Sequence, residues 1–113
     1  MIKINIPVKP LSINKAFQGR RFKTKDYNDF TRDVCYTLPV AKKTITKECS
    51  IDYTFYVSNY KMVDVDNCIK TCQDLIVLLN YLKDDRLIVE LCARKKSAKK
   101  GEEKIEIIIK EII

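Results

Sequence analysis

The stretch Val63-Asp64-Val65-Asp66-Asn67-Cys68-Ile69-Lys70 sets two carboxylates two residues apart and a lysine four residues after the second. Asp74 follows Lys70 by four residues, and the pair Asp84-Asp85 comes after a further apolar run. Carboxylates forced together repel one another and bind a hard divalent cation, as Mg²⁺ is usually held at phosphoryl-transfer sites. A metal so held can polarise a phosphodiester and lower the pKa of an attacking water. Lys70 beside it could neutralise charge building on the phosphate oxygens. The alternative for a D-x-D-N taken alone is structural: Asp66 or Asn67 caps a helix and Asp64 is a solvated loop residue. A calcium loop fits poorly, because counting from Asp64 puts Ile69 where an EF-hand needs glycine.

The chain contains no histidine. That removes Ser-His-Asp and Cys-His catalysis, histidine-based nucleases and every His-ligated metal site. Its five cysteines (Cys35, Cys49, Cys68, Cys72, Cys92) form no C-x-x-C pair, so neither a disulfide framework nor a zinc ribbon is indicated. Cys68 and Cys72 stand one helical turn apart without a second ligand pair, which favours buried reduced thiols over a metal site. Catalysis must therefore use carboxylates, lysine or a metal held by oxygen.

A formal charge of +7 points to a polyanionic partner. Lys9, Lys15, Arg20, Arg21, Lys23 and Lys25 crowd one early segment, and Arg94, Lys95, Lys96, Lys99 and Lys100 a late one. They read either as two solvated loops or as two phosphate-contacting surfaces. In the second case acid within a basic protein makes sense: the basic surfaces hold a nucleic acid, and the acid holds the metal that cuts it.

The elements that must position these groups follow from periodicity. At 113 residues, with hydrophobic residues at 46% and charged residues at 33%, one compact domain over residues 1–113 is expected, without a linker. The longest apolar run, Leu75 to Leu79, is far short of the roughly 20 residues that cross a bilayer. Met1 to Ile6 alternates instead of forming a signal-peptide core, so a cytoplasmic protein with no membrane partner is expected. Alternation predicts strands over 2–8, 49–58 and 87–93, with a last one through Ile105, Ile107 and Ile109. Helical spacing predicts helices over 26–37, closed by Pro39, and over 67–81. The segment from Lys9 to Lys25 has no period and reads as a functional loop, and Ser97 to Glu103 as a basic turn. Asp64 and Asp66 would share one side if the chain is still extended there, with Lys70 on the first turn of the following helix. Two helices and four strands in the order β, α, β, α, β, β suggest an α+β fold, a sheet covered on one face by helices.

These residues resemble the RusA family of Holliday-junction resolvases, endodeoxyribonucleases often carried by phages and prophages. The family's D-x-D-N, then lysine, aspartate and a D-D pair beyond the helix, is matched by Asp64-Val65-Asp66-Asn67, Lys70, Asp74 and Asp84-Asp85. Its P-x-S-x-N element is similar to Pro10-Leu11-Ser12-Ile13-Asn14. The helix ends in Asn80-Tyr81-Leu82-Lys83, where the family pattern suggests a glycine-containing turn. The resemblance implies a mixed four-stranded α+β domain acting as a homodimer, a symmetry that suits a four-way junction with its near two-fold axis. It implies Asp64, Asp66 and Asp85 as ligands of Mg²⁺, with Asp84 the less favoured of its pair, and Lys70 as the catalytic lysine. Contact with branched DNA is then assigned to Asn14, Lys15, Arg20, Arg21, Lys23, Arg94 and Lys96, with no small-molecule cofactor beyond the metal. Two other activities fit the same residues: a nuclease for forks or flaps, and a catalytically silent DNA binder.

Overall fold

A computed structural model describes residues 1–12, 17–18 and 22–112, with backbone alone at 17–18 and 22–23. The chain runs β1 (Ile2–Ile6), β2 (Phe17–Gln18), β3 (Phe22–Lys23), α1 (Lys25–Thr37), β4 (Cys49–Val57), α2 (Ile69–Leu78), β5 (Ile88–Ser97) and β6 (Lys104–Glu111). Short 3₁₀ turns at Tyr60–Met62, Val65–Cys68 and Asp85–Leu87 punctuate the connection from β4 to β5.

A four-stranded sheet of order β1-β6-β4-β5 carries the fold. Its first three strands pair antiparallel, and β5 adds to β4 in parallel, so the sheet is mixed and the architecture α+β. A parallel pair cannot be joined by a hairpin. The chain therefore leaves the end of β4, crosses over through α2 and returns, and the candidate catalytic residues all lie on this crossover.

Alternation on the strands makes the two faces unlike. Cys49, Ile51, Tyr53, Phe55 and Val57 of β4 point inward, in register with Ile105, Ile107 and Ile109 of β6, which in turn meet Ile4 and Ile6 of β1. Phe30 and Val34 of α1 and Cys72, Leu75 and Ile76 of α2 join the same core, so both helices cover one face. Tyr53 and Phe55, two residues apart and hence on one side, stack their rings at 5.5 Å between centroids. The opposite face carries Asp52, Thr54 and Tyr56, and neither described helix packs on it.

Helix α1 starts where sequence patterning puts it, because the Thr24 hydroxyl accepts a hydrogen bond from the Tyr27 N–H at 3.2 Å. It stops at Thr37 because Leu38, preceding Pro39, is driven to an extended conformation. Helix α2 is shorter than the expected 67–81. Its front is the Val65–Cys68 3₁₀ turn, and its end is set by Asn80, which adopts φ of 64° while the Tyr81 N–H reaches back to the Ile76 carbonyl at 2.9 Å. Asparagine tolerates this left-handed position better than most side chains, so it performs here the stop usually given to glycine.

Two further expectations are corrected. The aperiodic stretch from Lys9 to Lys25 contains the antiparallel ribbon β2–β3, whose strands of two residues each are too short to leave a period. Strand β5 does not stop at Ala93 but continues to Ser97, because Thr54 to Val57 of β4 offer pairing partners for Arg94 to Ser97. Arg94, Lys95 and Lys96, which could be read as part of a solvated loop or of a phosphate-contacting surface, thus stand on a strand, and the β5–β6 turn begins at Ala98. Gly101 takes φ of 92° there.

Candidate active site

Beyond Val57 the chain makes the Tyr60–Met62 turn and reaches Asp64, whose backbone is extended at φ −86° and ψ 124°. Asp66 already belongs to the next 3₁₀ turn. The two aspartates therefore do not share the side of one strand, as uninterrupted extension would have required. A turn sets their relation instead: the Asn67 N–H donates to the Asp64 carbonyl at 3.1 Å, and the Asn67 amide lies 3.5 Å from the Asp64 carboxylate. Both aspartates are exposed, with Asn67 half-buried between them and the core. No side-chain cap bond is made at Asp64 or at Cys68, the cap positions of this turn and of α2. The cap positions thus fall on Asp64 and Cys68, not on Asp66 or Asn67, and neither side chain makes a capping bond.

Lys70 links the two ends of the crossover. Its ammonium lies 2.9 Å from Asp74 Oδ1, one turn along α2, and 3.6 Å from Asp85 Oδ2 at the start of the next 3₁₀ turn. The hydrogen bond to Asp74 is the main cause that raises the lysine pKa, with Asp85 adding to it, so Lys70 is a cation throughout the neutral range. Asp84 is held by Arg86 instead. Its carboxylate accepts from the Arg86 N–H at 2.9 Å and from the Arg86 guanidinium at 3.0 Å, and these bonds hold its pKa down to about 2. Of the D-D pair, Asp85 is the member turned toward Lys70.

Among the described residues, no three His, Cys, Asp or Glu side chains converge at metal-holding spacing. The structure joins Asp85, Lys70 and Asp74, and leaves Asp64 and Asp66 on the preceding turn. The donor chemistry still fits Mg²⁺, because hard carboxylate oxygens are what it takes and it commonly binds through one or two of them, keeping waters and substrate phosphates for the rest. Cys68 and Cys72 are not competing ligands: both are buried, and burial pushes the Cys68 thiol up to about 11 and the Cys72 thiol higher still.

The N-terminal element meets this site from the side. Thr71, buried next to Lys70 in sequence, donates from Oγ1 to the Leu11 carbonyl at 2.9 Å, which ties the segment Pro10-Leu11-Ser12 to the front of α2. A groove of about 1130 Å³ opens between that segment, α1 and the approach to Asp64, with Pro10, Leu11, Tyr36, Met62 and Asp64 on its walls.

Of the residues assigned to DNA, Asn14, Lys15, Arg20 and Arg21 lie outside the described residues, and Lys23 is placed by its backbone in β3. Arg94 stands on the open face of the sheet, where its guanidinium pairs with the Asp52 carboxylate and donates to Thr54 Oγ1 at 2.9 Å. That guanidinium is committed within the molecule. Lys96 is exposed on the same face, its ammonium 6.0 Å from the centre of the Tyr56 ring. Lys99 and Lys100 are exposed on the following turn, which is fastened at its far end by Glu103 accepting from Ser58 Oγ at 2.9 Å and from the Gly101 N–H at 2.7 Å. Two residues escaped sequence reasoning. Thr71 leaves no signal, because its partner is 60 residues away. Lys95 does leave one: its parity on β5 matches inward Ala93, not outward Arg94 and Lys96.

No helix among the described residues is long and apolar enough to cross a membrane. The family model described as Endodeoxyribonuclease RusA matches residues 7–110, from the segment before Pro10 through most of β6. Among curated proteins none matches the chain.

Proposed function

Because the chain belongs to the RusA family of endodeoxyribonucleases, enzymes that hydrolyse phosphodiester bonds within DNA, we propose that it resolves four-way junctions by paired, Mg²⁺-dependent nicks. The observation that carries this reading is the position of Lys70. A cation on the first turn of α2, the helix that follows the D-x-D-N turn, is held by Asp74 and also meets Asp85 of the D-D turn beyond that helix.

In this reading Asp64, Asp66 and Asp85 would hold the metal. When bound, Mg²⁺ supplies Lewis-acid polarisation of the scissile phosphate and a more acidic water. The remaining work falls to the chain itself. Lys70, kept protonated by Asp74, offsets charge on the non-bridging phosphate oxygens. Asp74 keeps that ammonium aimed, and Asn67 keeps Asp64 turned outward. Exposed Lys96, Lys99 and Lys100 hold the backbone of the DNA, with Asn14, Lys15, Arg20, Arg21 and Lys23 on a second surface. A homodimer presents two such sites to opposed strands of one junction. The whole of residues 1–113 acts as one nuclease domain, working on DNA in the cytoplasm.

The test is cleavage of a synthetic four-way junction beside a linear duplex and a flap, with Mg²⁺ and with chelator, using the wild type and Asp66→Asn. Symmetric nicks only in the junction and only with metal are expected, with Asp66→Asn binding as tightly or more tightly but not cutting. Equal cutting of the flap would make the substrate another branched DNA. Binding without cutting by the wild type would leave a silent binder.

A further inference from the structure

Lys95 sits among basic residues that face solvent, yet its own side chain turns the other way. On β5 it is in register with Phe55 of β4, the inward side of the sheet. Its ammonium donates to the Tyr60 carbonyl at 2.6 Å and to the Val63 carbonyl at 2.8 Å, and lies 4.4 Å from the centre of the Tyr60 ring. These two carbonyls bracket the Tyr60–Met62 turn, and Val63 is the residue immediately before Asp64.

That connection needs a fastening. It follows the last paired residue of β4, and its backbone bonds among the described residues are local: Met62 N–H to the Asn59 carbonyl, then Asn67 N–H to the Asp64 carbonyl. Tyr60 and Met62 are exposed, and of the Tyr60–Val63 connection only half-buried Val63 packs against the core, as Val65 does beyond Asp64, so the front of the connection has little apolar anchorage of its own. A compact ammonium with three rotatable donors can hold two carbonyls three residues apart and still face an aromatic ring. We propose that Lys95 is a positioning residue, which pins the Tyr60–Val63 connection to the sheet and so fixes where Asp64 and Asp66 stand. The inference rests on the reading of those aspartates given above. It also separates Lys95 from its neighbours: Lys96 is free to meet phosphate, while the charge of Lys95 is spent on the enzyme's own backbone.

Lys95→Met keeps most of the unbranched side chain and removes its donors. Four measurements compare it with the wild type: amide exchange at residues 60–66, Mn²⁺ binding followed by electron paramagnetic resonance, single-turnover junction cleavage, and junction binding in chelator over a range of salt. Loss of a partner that orients metal ligands commonly costs 10- to 100-fold in metal affinity or activity. We expect exchange at 60–66 to quicken at least about tenfold, and Mn²⁺ affinity and cleavage each to fall by about that factor or more. Junction affinity in chelator and its salt dependence should not move. Lys95→Arg preserves the charge that a phosphate contact needs but replaces the point donor by a planar fork. It should bind junctions normally and still lose Mn²⁺ affinity, and it carries the same readouts if Lys95→Met does not fold. Unchanged exchange and Mn²⁺ affinity would overturn the proposal. So would weaker junction binding with a salt slope shallower by about one unit, the mark of a phosphate contact, or a lower melting temperature alone. A wild type that neither binds Mn²⁺ nor cuts would remove the reading of the site and this proposal with it. A competent wild type beside an unaltered Lys95→Met removes this proposal only.

Discussion

Thr71→Val tests whether the N-terminal element is positioned by α2 or merely lies beside it. Thr71 is fully buried, and its single hydroxyl proton is shared between the Leu11 carbonyl at 2.9 Å and the Cys68 carbonyl at 3.1 Å. Valine has nearly the same shape and is β-branched too, so neither a cavity nor a change in helix propensity enters. What disappears is one hydrogen bond, worth about 1 kcal/mol net, with a larger loss only if the acceptor stays dry. The Cys68 carbonyl stands where a helical N–H can serve it, and Leu11 is half-buried, which keeps the expected cost near about 1 kcal/mol. For a domain of this size that lowers the melting temperature by roughly 4 °C, measurable by circular dichroism. A domain stable by about 5–15 kcal/mol stays folded at 25 °C after such a loss. Any drop in junction cleavage at that temperature therefore reports displacement of Pro10-Leu11-Ser12, and we expect a fall of about tenfold, in line with the loss of other orienting contacts. A lowered melting temperature with unchanged cleavage would show that the bond stabilises without positioning. An unchanged melting temperature would refute the energetic reasoning itself.

Two other outcomes follow from the same geometry. Lys70→Met should barely alter stability, within about 0.5 kcal/mol by urea titration, because the lysine is 47% exposed, its closer pair with Asp74 is an i,i+4 helix pair of the kind worth about 0.3–0.5 kcal/mol, and Asp85 is 42% exposed. Cleavage at saturating Mg²⁺ should nevertheless fall by at least about a hundredfold, the usual contribution of a group aimed at developing charge; a change confined to junction affinity would end its catalytic role. Lys96→Ala should reduce the salt slope of junction binding by about one unit, whereas Arg94→Ala should leave it unchanged, since that guanidinium is already paired with Asp52. A shallower slope for Arg94→Ala would show that DNA competes successfully for the arginine.

The sequence by itself determined the kinds of element and the chemistry that they could carry. Alternation in Ile51-Asp52-Tyr53-Thr54-Phe55 and in Ile105-Glu106-Ile107 makes half-buried strands whatever their partners, because a period of two is a local property of the backbone. Thr24 and Pro39 bound α1 for equally local reasons. The absence of histidine and the D-x-D-N with its lysine confined the chemistry to carboxylates, lysine and a hard metal, and with Pro10 to Asn14 they pointed to the family that the match over residues 7–110 bears out. Tertiary structure decided the rest. That Lys70 meets Asp85 as well as Asp74 depends on how the chain turns back after Asn80. That Arg94 to Ser97 are strand and not loop depends on the reach of β4 beside them. That Asp66 lies in a 3₁₀ turn while Asp64 stands extended before it goes with a connection whose Tyr60 and Val63 carbonyls meet Lys95 of the neighbouring strand. Each of these is a meeting of groups distant along the chain, and local periodicity holds no information about which distant groups meet.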